Sequence, residues 1–484
     1  MKHTLLLLLF PYFLFSQTQI GQSFYGEEDY DFLGNTVSIS SNGNIIAIAV
    51  EGIDDNTGLV RVYENINNVW TQIAQDINSG TVGDWFGTSV SLSSNGNIIA
   101  IGAYAFDGNG LSSGLTRVYE NINNVWTQLG QDIYRNASGD QLGWSVSLSS
   151  NGNIVAMGAP SYFLNGQISG YVKIYENING NWIQIGSDIQ GDNVDDSFGD
   201  DISLSSDGRI VAINAPSNDF NGDNSGQVKV YENINNVWTQ KGQNLNGDAE
   251  LDYFGRSISI SSNGDIIAIG TINDNGTENI VGLVRVYNYI AGIWTQIGND
   301  INGNIGDTFG DSVCLSSDGS ILAIGSYFND DNANNSGQVK IYKNINDVWT
   351  QIGNNINGVN EEDRIGYKVR LSSEGNIIII GSPFSNDNGN DSGQVKVYDL
   401  SEVLSSDEFV LSQFSLYPNP AQNQVNIQLQ EGITLKKVTI YNTLGQFVST
   451  SKEKIINTTN LSSGMYLVEI ETNQGKATKQ IVIE

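Results

Sequence analysis

A repeat of 53 to 56 residues runs through most of this 484-residue chain and limits what it can fold into. A glycine, often preceded by phenylalanine, marks each unit, and a tryptophan returns in the same phase six times. Units of this length that recur at a fixed period must bury their hydrophobic faces against their neighbours. The marker glycines are Gly34, Gly87, Gly143, Gly199, Gly255, Gly310 and Gly366; the tryptophans are Trp70, Trp126, Trp182, Trp238, Trp294 and Trp349.

One unit, residues 198–247, contains four strand-like segments. They read "DDISLSS", "RIVAINA", "QVKVYENI" and "VWTQKGQNL". Ser-Asp-Gly separates the first two segments and "NINN" the last two, and both sequences favour tight turns. A four-stranded unit repeated seven times predicts an all-β protein, a seven-bladed β-propeller. A solenoid is the rival architecture, but its capping ends are not visible.

The first and last units complement each other. The seventh unit ends at "SGQVKVYDLSEV" and lacks the Trp-Thr-Gln-Ile-Gly segment, whereas "TQIG" stands near the start of the chain. We therefore expect Thr18–Gln22 to pair as the outer strand of blade seven, so that no half-formed blade leaves an open edge.

Charge and composition exclude several kinds of chemistry. The formal net charge is −31, which disfavours binding to nucleic acid phosphates. The only histidine is His3 and the only cysteine is Cys314, so a chain without its first residues cannot build a histidine-dependent triad or zinc site. Cys314 replaces the second Ser of "SVSLSS", and we expect a small buried strand residue there.

The ends of the chain differ from the repeats. Residues 1–16 have a cationic start and a short apolar stretch, which predicts a secretory signal peptide. We expect the propeller to span 17–400, a linker 401–412, and a small β-sandwich domain 413–484, where lysines become denser.

The repeats resemble the FG-GAP family. "FGDDISLSSDGRIVAINAP" at 198–216 has Phe198-Gly199 as its first element and Ala215-Pro216 as its second, and "GAP" itself stands at 158–160. The resemblance implies a seven-bladed propeller like that of integrin α chains. The calcium loop that integrin-type repeats often carry between the two halves is replaced here by "SSNGN" or "SSDGR", so calcium does not carry over to that position.

Other acidic loops remain candidates for cation sites. Alternate Asp and Asn oxygens can converge on calcium, although these residues are also ordinary turn formers. The candidate metal ligands are Asp219, Asn221, Asp223, Asp330, Asp387 and Asp391.

A second set of acids lies three residues before each marker glycine. We expect each carboxylate to accept backbone N–H groups in the turn that leads into the first strand; the alternative is a crown of carboxylates that holds a cation near the axis. This axial Asp ring comprises Asp31, Asp84, Asp140, Asp196, Asp252, Asp307 and Asp363.

Loop variability points to one face of the propeller. The connections between strands 1–2 and 3–4 are nearly uniform, whereas the 2–3 and 4–1 connections vary and should emerge together on the other face. Aromatic residues there could stack on sugars or anchor a protein, or could pack beneath their own loops. They are Tyr104, Phe106, Tyr162, Phe163, Phe220, Tyr327, Phe328 and Phe384.

The last 70 or so residues resemble the C-terminal sorting domain of the type IX secretion system. The matching motif residues are Tyr417, Pro418, Asn419, Pro420, Gly445, Gly464 and Tyr466. The resemblance implies that the secretion machinery is a partner and that the protein is secreted or displayed on the outer cell surface.

The sequence thus favours a binding or adhesion module for a glycan or protein ligand, with no enzymatic activity. A polysaccharide lyase or glycosidase that uses carboxylates is the first alternative. A structural component of the cell surface or matrix is the second.

Overall fold

The structure is a computed structural model that describes residues 17–52, 56–108, 110–134, 138–160, 169–272, 281–404, 414–429, 433–442, 446–472 and 475–484. The predicted signal peptide lies outside these ranges. The chain divides into two compact units, one made of Gln19–Gln351 and Asn355–Asp399, the other mainly of Leu400–Glu484.

In the first unit, seven antiparallel sheets follow one another in sequence order within the described residues. Two short strands, β1 (Thr18–Gln19) and β2 (Phe24–Tyr25), precede them. Blade one contains β3 (Val37–Ile39), β4 (Ile45–Val50), β5 (Leu59–Ile66), β6 (Val69–Gln72) and β7 (Ile77–Asn78). Blade two contains β8 (Ser89–Leu92), β9 (Ile98–Ala103), β10 (Leu115–Asn121), β11 (Trp126–Gln128) and β12 (Ile133–Tyr134). Blade three contains β13 (Ser145–Leu148), β14 (Ile154–Ala159), β15 (Tyr171–Ile178), β16 (Asn181–Gln184) and β17 (Ile189–Gln190).

The remaining blades repeat this order. Blade four contains β18 (Ile202–Leu204), β19 (Ile210–Ala215), β20 (Gln227–Ile234), β21 (Val237–Gln240) and β22 (Leu245–Asn246). Blade five contains β23 (Ser257–Ile260), β24 (Ile266–Thr271), β25 (Leu283–Ile290), β26 (Ile293–Gln296) and β27 (Ile301–Asn302). Blade six contains β28 (Ser312–Leu315), β29 (Ile321–Ser326), β30 (Gln338–Ile345) and β31 (Val348–Asn357). Blade seven contains β32 (Lys368–Leu371), β33 (Ile377–Ser382) and β34 (Gln394–Asp399), with β1 and β2 paired to β34.

The second strand of each blade explains why the blades stack. Strands such as β4 and β19 are almost continuously apolar and are buried along nearly their whole length. A strand that is apolar on both faces needs cover on both faces, which the two neighbouring blades provide. The phenylalanine before the marker glycine completes this packing, since Phe86 and Phe309 are fully buried between blades.

Glycine is required where one blade touches the next most closely. Gly158, at the end of the second strand of blade three, lies so near blade four that an added Cβ would come within 2.0 Å of the carbonyl oxygen of Gly199. Gly199 itself has a φ of +92°, in the region that favours glycine. The two glycines of the Phe-Gly and Gly-Ala-Pro motifs therefore meet across the interface between blades.

Blade seven is completed by the start of the described chain. The N–H of Ile20 donates to the carbonyl of Val397 at 2.8 Å, and Phe24 pairs with Val395. Ile20 and Phe24 are buried in the cluster that joins blades seven and one. The Gln22 side chain also exchanges two hydrogen bonds with the backbone of Trp70, at 2.7 and 3.1 Å. Gln75 makes the same pair of bonds to Trp126 between blades one and two.

The second unit begins with a short helix, α1 (Ser401–Leu404), and then contains two sheets. One has the order β35 (Phe414–Tyr417), β36 (Gln424–Leu429), β39 (Ile455–Asn457). The other has the order β38 (Phe447–Ser451), β37 (Leu435–Asn442), β40 (Gly464–Thr472), β41 (Gly475–Ile483). Buried aliphatic side chains alternate along β36 and β40, as expected of a small β-sandwich.

Candidate functional site

The two variable loop classes lie together on one face of the propeller. Among the described loops, hydrogen bonds join a 2–3 loop to the 4–1 loop that leads into the next blade: Leu251 N–H donates to Asp223 carbonyl at 2.8 Å, and Tyr30 N–H to Asn390 carbonyl at 2.7 Å. The face therefore consists of paired loops from neighbouring blades.

The candidate calcium ligands on these loops serve as loop hydrogen-bond partners. Asp219 accepts the N–H of Asn224 at 2.8 Å, and Asp330 accepts that of Asn335 at 2.7 Å. Asp387 accepts the Asn360 amide at 2.9 Å. The remaining three candidates act similarly or lie nearby: Asn221 donates to Gly247 carbonyl, Asp223 accepts from the Asn224 side chain, and Asp391 N–H donates to Asn386.

No group of three or more His, Cys, Asp or Glu side chains in the described ranges is arranged to hold a metal ion. Calcium binding at Asp219, Asn221, Asp223, Asp330, Asp387 and Asp391 stays a prediction.

Five aspartates of the axial Asp ring accept backbone N–H groups of turns. Asp31 accepts the N–H groups of Glu27 and Glu28 at 2.7 and 2.9 Å, and Asp363 accepts those of Val359 and Asn360 at 2.8 and 2.7 Å. Asp252 and Asp307 accept backbone N–H groups in the same way, as does Asp196. Asp140 accepts the Tyr171 hydroxyl, and Asp84 is buried with them. None of these seven side chains lines the axial cavity described below.

The predicted aromatics separate into three groups. Tyr104, Tyr327, Phe328 and Phe384 are half-buried and contact other rings near the axis, and Phe106 packs against the core of blade two. Only Phe220 of those described is strongly exposed, at 68 %. Tyr162 and Phe163 lie outside the described residues.

A cavity of about 300 Å³ opens at the axis on this variable face. The residue that follows each marker glycine lines it, and the second residue after the glycine does so in six units. We call this cavity the axial mouth. It is defined by the residues that directly follow the marker glycines: Asn35, Thr88, Trp144, Asp200, Arg256, Asp311 and Tyr367.

Of the residues predicted from sequence, only Tyr104 lines this cavity, because the variability between units was followed in the loops and not in the first strand of each blade. In the sequence, the axial mouth is marked by a position that differs between units. Within a motif that otherwise reads almost the same in every unit, the position after the glycine carries six different amino acids in seven copies.

Charges of both signs line the mouth. Arg256 lies 2.8 Å from the Asp311 carboxylate, which holds the pKa of Arg256 well above its ordinary value. Burial lowers the pKa of Lys368, and the nearby Arg370 and Arg256 lower it further. Burial raises the pKa of Glu51 to about 7, despite opposing hydrogen bonds from Asn35 and Thr88.

Aromatic rings flank these charges on two sides. On one side the Tyr104 ring lies 4.8 Å from Trp144 and 6.1 Å from Trp85. On the other side Tyr367 lies 5.3 Å from Tyr327 and 5.5 Å from Phe384, and the Arg364 guanidinium covers Phe384 at 4.6 Å. The mouth thus combines flat apolar surfaces with polar groups, which is the composition of a ligand site.

The opposite end of the innermost strands is uniform. There the turn between the first two strands of every blade contributes a serine to a smaller cavity. The serines of this serine ring are Ser41, Ser94, Ser150, Ser206, Ser262, Ser317 and Ser373.

The sorting motif organises one end of the second unit. Asn419 donates its side-chain amide to the Gln480 carbonyl at 3.0 Å and accepts the Val482 N–H at 2.8 Å, so the segment Tyr417–Pro420 is bound to β41. Tyr466 donates to the Ser462 carbonyl at 3.0 Å, and Gly464 begins β40. Gly445 lies outside the described residues.

The fold and the family matches define a β-propeller protein that carries a secretion sorting domain. Residues 415–484 match the secretion system C-terminal sorting domain, and residues 70–119 and 300–342 match the FG-GAP repeat. The chain thus carries FG-GAP repeats followed by a type IX sorting domain, which implies secretion or attachment at the cell surface. Among the described residues, no helix is both long and apolar enough to span a bilayer.

Several solved structures are similar to this chain at low sequence identity. Hydrazine synthase of Kuenenia stuttgartiensis matches with a TM-score of 0.50 and 11 % identity, over 79 % of this chain and 96 % of that one. A protein of Bacteroides uniformis described as a 6-phosphogluconolactonase has a TM-score of 0.47 and 11 % identity, over 86 % and 97 %. The Dos1 propeller has a TM-score of 0.46 and 13 % identity, over 79 % and 96 %. No curated protein matches the chain significantly.

Proposed function

We propose that this protein is a non-enzymatic binding module that is exported by the type IX system and takes a glycan at its axial mouth. In this proposal residues 1–16 are removed as a signal peptide, 17–400 form the binding propeller, 401–412 a linker, and 413–484 the domain that the secretion machinery recognises.

The observation that carries the proposal is the contrast between the two ends of the innermost strands. The serine ring is the same in every blade, as expected of a purely structural position. The axial mouth differs in nearly every blade although its strands are equally regular. A rigid scaffold that varies only at one end is typical of recognition surfaces.

A glycan suits this surface because both aromatic and hydrogen-bonding groups line it. The half-buried rings of Trp144 and Tyr104 can stack on the apolar face of a sugar, while Asn35, Thr88 and Asp200 offer hydrogen-bond partners to its hydroxyls. The exposed ring of Phe220, by contrast, stands away from this cavity.

A glycan array probed with the purified protein tests this function, together with a turnover assay on every glycan that binds. We expect Trp144→Ala and Tyr104→Ala each to weaken binding by up to about tenfold, because a lost stacking contact is worth about 0.5–1.5 kcal/mol. Ser150→Ala in the serine ring is the matched control and should bind normally.

Two results would contradict the proposal. Release of sugar or of unsaturated products would show an enzyme. If both mouth variants bind the glycan normally and Ser150→Ala loses binding, the ligand lies at the serine ring and not at the axial mouth.

A further inference from the structure

The innermost strand of blade seven differs from the other six at two positions. Where the seventh unit has Lys368 and Arg370, the other units carry short side chains. At the first position these are Thr36, Ser89, Ser145, Asp201, Ser257 and Ser312; at the second they are Ser38, Ser91, Ser147, Ser203, Ser259 and Cys314.

The short residue at the second position links neighbouring blades. Ser38 Oγ accepts the N–H of Leu92 at 3.0 Å, and Ser91 Oγ accepts that of Leu148 at 2.9 Å. Equivalent hydrogen bonds between neighbouring blades continue as far as Cys314, whose Sγ accepts the Leu371 N–H at 3.3 Å. Arg370 cannot continue it, because a guanidinium has donors only. Its Nη1 instead donates to the carbonyl of Val369 at 2.9 Å.

Lys368 and Arg370 also lack the ion pairs that other half-buried cations of the propeller have. Arg117, Lys173 and Arg285 each lie within 3.0 Å of an aspartate fifteen residues further along the chain. In the part of the chain that the structure describes, neither Lys368 nor Arg370 has a carboxylate within 4.0 Å, although both line the axial cavity. Asp201 and Asp311 attract Lys368 from beyond ion-pair distance, whereas Arg370 and Arg256 repel it. A bound anion would offset this repulsion between the cations.

One carboxylate oxygen in the same cavity lacks a hydrogen-bond partner. Glu51 is only 4 % exposed, and its Oε1 has no hydrogen-bond partner. It stands where unit three has Pro160, at the end of the second strand of blade one. Leaving a buried polar atom without a partner costs free energy, and a ligand group can satisfy it.

We propose that Lys368 and Arg370 form an anion subsite in the axial mouth that binds the carboxylate or sulfate group of an acidic glycan. The sugar ring that carries this group lies against the aromatic side chains of the mouth, and one of its hydroxyls donates to Glu51 Oε1. This inference rests on the proposed function and specifies its ligand class. Glu51, Asp200, Asp201 and Asp311 also line the cavity, so the subsite depends on the local positions of the two cations and not on a net positive charge of the mouth.

Calorimetric titration of the full-length protein tests the subsite with four probes: an oligomer of galacturonic acid, a sulfated oligosaccharide, a neutral oligosaccharide of equal length, and an acidic peptide of equal charge. The variants are Lys368→Ser and Arg370→Ser, alone and combined. Both substitutions give blade seven a residue that other blades already carry, and Arg370→Ser offers the missing Oγ acceptor, so the variants should fold. Lys396→Ser is the control, since Lys396 belongs to the same blade but does not line the cavity.

We expect an acidic oligosaccharide to bind, and the double variant to lose at least about 30-fold in affinity, because removing charge-assisted contacts costs 2 kcal/mol or more. The two oligosaccharide arms show whether carboxylate or sulfate is preferred. The Lys396→Ser variant should bind the acidic oligosaccharide as tightly as the wild type does. The double variant should bind the neutral oligosaccharide as tightly as the wild type does.

The outcomes separate the two levels of the proposal. Tighter binding of the neutral than of the acidic oligosaccharides would overturn the anion subsite and leave glycan binding intact. Equal binding of the acidic peptide would overturn the assignment to an acidic glycan. Failure of every oligosaccharide to bind would overturn the proposed function itself.

Discussion

The backbone N–H of Ser373 donates to the carbonyl oxygen of Ser41 at 2.9 Å, although the two residues belong to the last and the first blade. The same bond joins Ser41 to Ser94 and continues through each blade at 2.8 to 2.9 Å. The serine ring is therefore a closed circle of seven backbone hydrogen bonds, and it holds the innermost strands that carry the axial mouth at their other end.

Substitutions of the buried residues in the N-terminal segment should destabilise the whole propeller. Phe24 and Ile20 are buried between blades seven and one, and truncating such side chains to alanine costs about 3 kcal/mol each. We expect Ile20→Ala and Phe24→Ala to lower the midpoint of urea unfolding clearly. Thr18→Ala, at an exposed position, should leave it unchanged. Equal midpoints for all three would mean that the ring closes without this segment.

Gly158→Ala should destabilise through a clash between blades. Its Cβ would come within 2.0 Å of the Gly199 carbonyl oxygen, so the blades must shift, at a cost of about 3 kcal/mol. Gly180→Ala is the matched control, because Gly180 has a φ of +82° but open space around it, and should cost only about 1 kcal/mol. Urea unfolding of both variants measures the difference; a larger loss for Gly180→Ala would contradict the packing described between blades.

Glu51 should make stability depend on pH. Its pKa is about 7 in the folded protein, above the ordinary value of 4.5, so the folded state binds a proton more tightly than the unfolded state. This contribution to the free energy of unfolding therefore falls as pH rises from about 4.5 to 7, by about 3 kcal/mol in total. We expect the difference in stability between wild type and Glu51→Gln to follow this slope. A difference that stays constant from pH 4.5 to 8 would mean that Glu51 is not a buried carboxyl.

Cys314 should be unreactive in the folded protein. It is buried in β28, and burial raises the pKa of its thiol, so little thiolate forms at neutral pH. A thiol reagent should label it only after denaturation, as mass spectrometry would show. Rapid labelling of the native protein would contradict its position between blades six and seven.

The repeat made the fold predictable because every unit has the same turn and strand sequence features. The turn glycines, the apolar second strand and the tryptophan of the fourth strand recur in phase, and the incomplete seventh unit matched the start of the chain. Each of these features acts through backbone geometry or burial, which sequence patterns reflect directly.

The site was harder to predict, because residues shared by all units serve the scaffold. The aspartates three residues before each marker glycine recur in every unit, and Asp31 and Asp363 accept turn N–H groups, which is a structural role. The cavity is instead lined by residues that differ from those at the same position in other units, such as Trp144, Lys368 and Glu51. These residues come from blades that are far apart in sequence. Only the closed ring brings these positions together, so one unit read alone does not reveal them.

Hydrogen exchange of the glycan-saturated protein tests most directly whether the axial mouth is the binding site. The account predicts that the ligand slows exchange in the segments around Trp85, Tyr104, Trp144 and Lys368, and leaves the serine-ring turns unchanged. Protection of the turns that hold Ser94, Ser150 and Ser206, with none around Trp144 and Lys368, would contradict it.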